Sequence, residues 1–293
     1  MIKRGFFSQK TNFLKIVILC FLILISALIT NLFAYSIDTF FFKFEKSVFH
    51  NGQYFSIESL KLLQFFNSIG IFIIPILLYS YLTDLNLKFK FNFKRQELLL
   101  VCGIIILSYP FISYIYELNQ KINLPEWALS YEQRAEQLTR EFIKMDSLLD
   151  LGINLILIAI IPAVGEELLF RGYLQESFSK WLQNAHLAII FSAFLFSAIH
   201  LQFHGFFPRF ILGILLGYLF FWSGSIMIPI FAHFVNNALV VIFSYTSFIN
   251  YSSVTDYKTT FVHALFSFMS IVLLLFLLYN VIKNRKNYKV NLD

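Results

Sequence analysis

The chain is poor in charge. Only 14% of its 293 residues are Asp, Glu, Lys or Arg, where soluble domains carry roughly 25%. That excludes an ordinary soluble protein, and 58% hydrophobic content with a mean hydropathy of +0.70 agrees. Cysteine is nearly absent. Cys20 and Cys102 are the two present, each in or beside an apolar run, so neither a disulfide framework nor a thiolate metal site is expected. There is no Gly/Ser linker, internal repeat or low-complexity stretch. The strong zinc signature His-Glu-x-x-His is missing too. The net charge of +6 does not point to nucleic acid, because the basic residues gather at the termini and in one loop.

What is abundant is apolar sequence, including 38 Phe that suit lipid-facing helix surfaces. A transmembrane helix needs about 20 mostly apolar residues. Eight stretches qualify: about 16–35, 60–82, 98–116, 148–172, 187–204, 207–223, 226–247 and 259–282. The fourth is expected to continue as helix to about 182. The fifth and sixth are divided only by the Gly205–Pro208 break. The first is too long for a signal-peptide core and reads as a retained span.

Charge sets the orientation. The N-terminal tail is basic (Lys3, Arg4, Lys10, Lys15), as are the loop with Lys88, Lys90, Lys94 and Arg95 and the tail with Lys283, Arg285, Lys286 and Lys289. Eight spans put all three on one side, the cytoplasm by the positive-inside rule. The opposite loop, Glu117 to Asp150, is acidic. Within it, residues 125–145 read either as an amphipathic helix on the outer surface or as a plain connector helix. The fold expected is an all-α polytopic membrane protein with both termini cytoplasmic. It divides into an N-terminal three-helix part (1–147), a membrane domain bearing the site (148–250), and a last span with a basic tail (251–293).

Polar residues stand out in this setting: Glu166-Glu167-x-x-x-Arg171, Phe196-x-x-x-His200 and His233-x-x-x-Asn237. Ionisable groups inside a bilayer are costly and normally face a cavity or a partner. Glu166 precedes the turn near Gln183–Ala185 by about as many residues as His200 follows it, so both lie ~25 Å from that turn. His233 lies ~14 Å beyond the turn near Ser223–Ser225. The levels match if the first turn protrudes ~10 Å further, which gives a site open to the cytoplasmic half. His233 and Asn237 share one helical face, and Glu167 and Arg171 form an i, i+4 pair in the favourable order. Glu166 points about 100° away from Glu167. Gly213-x-x-x-Gly217 is a small-residue face for close helix packing. His204 reads as interfacial. His50, His186 and His263 read as loop or span-end residues without a partner pattern.

These residue types permit peptide hydrolysis. That reaction needs a water nucleophile, a base and donors for the oxyanion. Glu166 can be the base, His200 can hold the water, and His233 with Asn237 can donate to the oxyanion. Glu167 paired with Arg171 would lock the glutamate helix. Glu166, His200 and His233 are also proper zinc ligands with an open fourth position. Both chemistries stay open; metal-independent glutamate chemistry is preferred, because three scattered ligands are a weak zinc signal.

The three segments together resemble the CPBP family, which comprises type II CAAX prenyl proteases and bacteriocin-processing or immunity proteins, also called the Abi family. The resemblance runs from about Ile161 to Ala238 and carries a double glutamate with a following arginine, then Phe-x-x-x-His, then His-x-x-x-Asn, in order. It implies Glu166 as base, Glu167 and Arg171 in support, His200 as the second-motif histidine, and His233 with Asn237 as the last-motif pair. It also implies an intramembrane endopeptidase acting on a membrane-associated or lipidated peptide or protein, of metallo- or glutamate type. A multi-pass protein of a bacterial inner membrane is expected, with the lipid bilayer and a peptide substrate as partners. The alternative is a non-enzymatic membrane scaffold or bacteriocin-immunity protein using the same residues for packing or peptide binding. A proton-coupled carrier would show repeat symmetry, which the sequence lacks.

Overall fold

The computed structural model describes residues 3–41, 48–50, 53–91, 93–246 and 260–290. Nine helices make up the described chain: α1 (Asn12–Phe41), α2 (Ile57–Thr83), α3 (Arg95–Asn119), α4 (Glu126–Phe142), α5 (Leu148–Leu182), α6 (Ala185–Ala198), α7 (Phe206–Ser223), α8 (Met227–Tyr245) and α9 (Phe261–Val290). A short antiparallel hairpin, Val48–His50 with Gln53–Phe55, joins α1 to α2. The protein is an all-α polytopic membrane protein apart from that hairpin. Seven helices are long and apolar enough to cross a bilayer. The fifth expected span is the exception: α6 has 14 residues, about 21 Å of helix, and ends in a loop.

The basic segments share one face. Arg4 pairs with Asp84 at 2.8 Å, and the amides of Gly5 and Phe7 bond to the carbonyls of Tyr81 and Leu82. The turn between α7 and α8 docks on the basic loop: Ile226 N–H donates to Lys88 O at 3.1 Å and Ser225 Oγ to Lys90 O at 2.5 Å. Tyr279 near the end of α9 packs against Trp222, 5.7 Å between rings. Among the residues of the C-terminal basic tail, the side chains of Arg285, Lys286 and Lys289 lie outside the described residues. The expected sharing of one side therefore holds for the residues described.

Two prolines shape the helices that frame the site. Pro162 has no N–H to return to the carbonyl four residues back. The chain widens into π-helical turns at Leu155–Ile160 just before it, as it does at Ile69–Ile73 before Pro75. A third wide turn spans Leu168–Gln175. Helix α2 approaches α5 closely at Gly165, where a Cβ would stand 2.7 Å from Phe72 Cβ. Helices α6 and α7 also meet at glycines: a Cβ on Gly213 would lie 3.0 Å from Ala193 Cβ, and one on Gly217 2.7 Å from Ile189 Cγ2. The small-residue face thus packs as expected. Two cores lie around these helices, one with Leu168, Phe170 and Phe196, the other with Ile104, Leu216, Leu219 and Ile228.

Candidate active site

The site forms where α5, the end of α6, the start of α7 and the middle of α8 meet. Glu167 and Arg171 are fully buried and paired, Nη1 to Oε1 at 2.8 Å. Their i, i+4 spacing on one face of α5 makes that pair, and burial removes solvent screening from it. Arg171 Nη2 also donates to Gly213 O at 3.0 Å, and Gln175 Nε2 donates to Gly217 O at 3.0 Å. A Cβ on Gly217 would stand 3.0 Å from Gln175 Oε1, so the bare glycine leaves room for that bond. The Gly213-x-x-x-Gly217 face therefore does more than pack α6 on α7. It also anchors the helix that carries the glutamates.

His233 enters from α8 and is buried. Its Nδ1 lies 2.9 Å from Glu167 Oε1, and its Nε2 lies 4.0 Å from Glu166 Oε2. One imidazole therefore stands between the two carboxylates. With Nδ1 donating to Glu167, Nε2 accepts when the ring is neutral and donates only as imidazolium. Glu166 makes no direct hydrogen bond among the described residues, which leaves its carboxylate open to a water or a substrate.

His200 sits in the first turn beyond α6. Its Nδ1 lies 2.8 Å from Phe196 O, four residues back, so Nδ1–H donates to that carbonyl and Nε2 is left as an acceptor. Among the described residues no hydrogen bond or ion pair joins His200 to Glu166. Phe196 links His200 to His233 instead. Its ring meets His200 at 5.4 Å, His233 at 5.8 Å and Phe170 at 5.3 Å, all edge-on, and the Arg171 guanidinium lies 4.7 Å over it. The motif phenylalanine, to which the sequence assigned no role, is the hub of the site.

Asn237 Nδ2 donates to Ile158 O at 3.0 Å, and Asn237 Oδ1 accepts from Asn236 Nδ2 at 3.0 Å. Ile158 is the residue four before Pro162, so its carbonyl lacks the ordinary helical donor. The Asn237 amide fills that gap. One of its two N–H groups is thereby committed to helix anchoring.

One expectation changes, that of depth. His186 Nδ1 lies 2.9 Å from Tyr218 OH, and its ring packs 6.0 Å from Phe221, near the end of α7. The α5–α6 turn is thus close to level with the α7–α8 turn, not ~10 Å beyond it. The loop bearing His200 precedes α7, whose 18 residues span about 27 Å. It bonds to Asn119 at the far end of α3. His200 therefore lies toward the acidic face, not in the half facing the basic loops. Among the described residues no three His, Cys, Asp or Glu side chains group as metal ligands. His200 and His233 each have Nδ1 bonded within the protein and keep Nε2 free, an arrangement that serves an acceptor and a metal ligand alike.

The sequence reading missed Arg209. It lies in the first turns of α7, its guanidinium held to Gln202 O and Gln202 Oε1 against the backbone of Gly205. It thereby ties the first turns of α7 to the loop that follows His200. A cation nine residues after His200, beside Pro208 in apolar sequence, was the available signal.

Comparison with known proteins places this geometry. Residues 149–239 match the family model of type II CAAX prenyl endopeptidases, Rce1-like. That segment contains both glutamates, Arg171, both site histidines and Asn237, and it supports a protease of the CAAX endopeptidase type. The uncharacterized protein YpbD of Bacillus subtilis (strain 168) is 29% identical over 90 residues, which are 29% of this chain and 43% of that protein. The match thus spans less than half of the curated relative. No solved structure matches the chain.

Proposed function

We propose that the protein is an intramembrane endopeptidase in which Glu166 activates water. The observation that carries this reading is the pairing of two adjacent carboxylates with different surroundings. Glu167 is tied to Arg171 and His233, while Glu166 carries no hydrogen bond among the described residues and faces His233 Nε2 at 4.0 Å. One carboxylate holds the scaffold and the other is free to take a proton.

In the proposed reaction Glu166 accepts a proton as water oxygen adds to the scissile carbonyl carbon. The oxyanion that forms takes hydrogen bonds from Nε2–H of the His233 imidazolium and from the second Asn237 N–H. Collapse breaks the C–N bond, and the proton held by Glu166 passes to the departing nitrogen. His200, with Nδ1 fixed on Phe196 O, offers Nε2 as an acceptor that orients the water. The substrate proposed is a membrane-associated or lipidated peptide or protein, and the membrane a bacterial inner one with both termini cytoplasmic. Glu166→Gln and His200→Ala are each expected to abolish cleavage by the purified protein in liposomes while leaving its melting temperature within a few degrees. Unchanged cleavage in both variants would overturn the assignment.

A further inference from the structure

The chain leaves His200 under constraint. Leu201 has φ of 51°, in the left-handed region that a branched side chain rarely adopts. The loop supplies few bonds of its own: His200 N–H to Ser197 O, Leu201 N–H to Ala198 O and Phe206 N–H to Phe203 O. Its tip is held from elsewhere. Asn119, buried at the end of α3, donates to Phe203 O at 2.8 Å and to His204 O at 2.6 Å. Glu132, on α4, accepts the Phe203 N–H at 2.8 Å through Oε2, and its Oε1 lies 3.9 Å from His204 Nδ1. Trp127, also on α4, packs edge-on against Phe203 at 5.4 Å. Two side chains from residues 119–132 therefore fix the backbone three and four residues beyond His200, and a third, Trp127, packs on the Phe203 ring. None of them lies in the segment that matches the family, residues 149–239.

We propose that Asn119 and Glu132 are positioning residues for His200, and that α4 is a working part of the site and not a connector. The proposal rests on the endopeptidase reading for its consequence in catalysis, but not for the clamp itself. A strained turn needs surrounding bonds to keep it in place. Partly buried backbone groups at 203 and 204 gain from staying bonded to these two side chains. Removing either lets residues 201–204 relax toward an ordinary conformation, which carries His200 Nε2 away from its place. Neither residue touches the reacting atoms, so substrate binding should be spared.

The test uses the full chain in liposomes with Glu132→Ala, Asn119→Ala and the conservative Glu132→Gln, whose amide oxygen can still accept the Phe203 N–H. Two readouts need no activity: amide hydrogen exchange over residues 199–206, and the rate at which diethyl pyrocarbonate labels His200. Both should rise about tenfold or more in the two alanine variants, with exchange in α7 unchanged and Glu132→Gln close to wild type. In cleavage, kcat should fall on the order of 100-fold with KM within about threefold, the effect of a misplaced catalytic group. Glu132→Gln should restore most of the rate. Faster exchange with unchanged kcat overturns the positioning role, as does slower turnover without loosening of 199–206. If wild type cleaves nothing, the endopeptidase reading fails by itself, and unchanged labelling of His200 in Glu132→Ala would still overturn the clamp. Should Asn119→Ala fail to fold, Glu132→Ala decides the matter alone.

Discussion

Replacing Arg171 with Met tests the scaffold of the site most sharply. The side chain is 1% exposed and its partner Glu167 is fully buried, so neither charge is relieved by water. Met fills most of the volume but removes the guanidinium from Glu167, from the Gly213 carbonyl and from the face of Phe196. A buried carboxylate stripped of its partner costs about 3–5 kcal/mol, and loss of the second hydrogen bond to Gly213 O adds about 1 kcal/mol. Removing both charges leaves neither member of the Arg171–Glu167 pair uncompensated. Arg171→Met with Glu167→Leu should therefore recover at least 2 kcal/mol of that loss, less what His233 forfeits at Nδ1. The assay is reversible unfolding in detergent for wild type, both single variants and the double, arranged as a double-mutant cycle. A coupling energy under about 1 kcal/mol, or an Arg171→Met variant as stable as wild type, would refute the reasoning. The pair would then be no anchor, and Glu167 would be free for chemistry that is assigned here to Glu166.

Other outcomes follow from the same contacts. Asn237→Leu should destabilise by about 1–3 kcal/mol by orphaning Ile158 O, and Pro162→Ala should reduce that cost by supplying an N–H; equal costs in both backgrounds would count against the link. Gly217→Leu should lower the melting temperature strongly, since even a Cβ there stands 2.7 Å from Ile189 Cγ2, whereas Gly152→Ala, with nothing within 4 Å, should be neutral or stabilising. Phe196→Leu should cut kcat about tenfold or more, because both histidines and Arg171 rest on its ring. A Phe196→Leu enzyme of wild-type rate would remove the hub from the account.

Much of this was legible in the sequence, because bilayer physics leaves a strong mark. Long apolar runs gave seven spans of the right length, and the clustering of Lys and Arg told which loops share a face. The Glu167–Arg171 pair was readable from its i, i+4 spacing, and the packing role of Gly213 and Gly217 from their size. Other features depended on tertiary contacts. Helix α6 reads as long as its neighbours, but the break that ends it comes at Ala198, before Gly205 and Pro208. The depth of His200 hung on how far one turn protrudes, which the contact of His186 with Tyr218 decides and no local pattern encodes. Asn237 looked like an oxyanion donor alone; its service to Ile158 follows from Pro162, 75 residues away in sequence. Asn119 and Glu132 carry no motif, and their role appears only where they reach the loop after His200.

The central claim is that Glu166 activates water without a metal. The direct measurement is peptide cleavage by purified protein in liposomes, against a broad peptide library that includes lipidated C-terminal peptides. Wild type, Glu166→Gln, and wild type treated with a chelator and then zinc would run side by side. The account predicts cleavage by wild type, none by Glu166→Gln, and full activity in chelator. Activity lost in chelator and restored by zinc would contradict it and make Glu166 and the histidines metal ligands after all. Cleavage by Glu166→Gln at the wild-type rate would remove Glu166 from the chemistry.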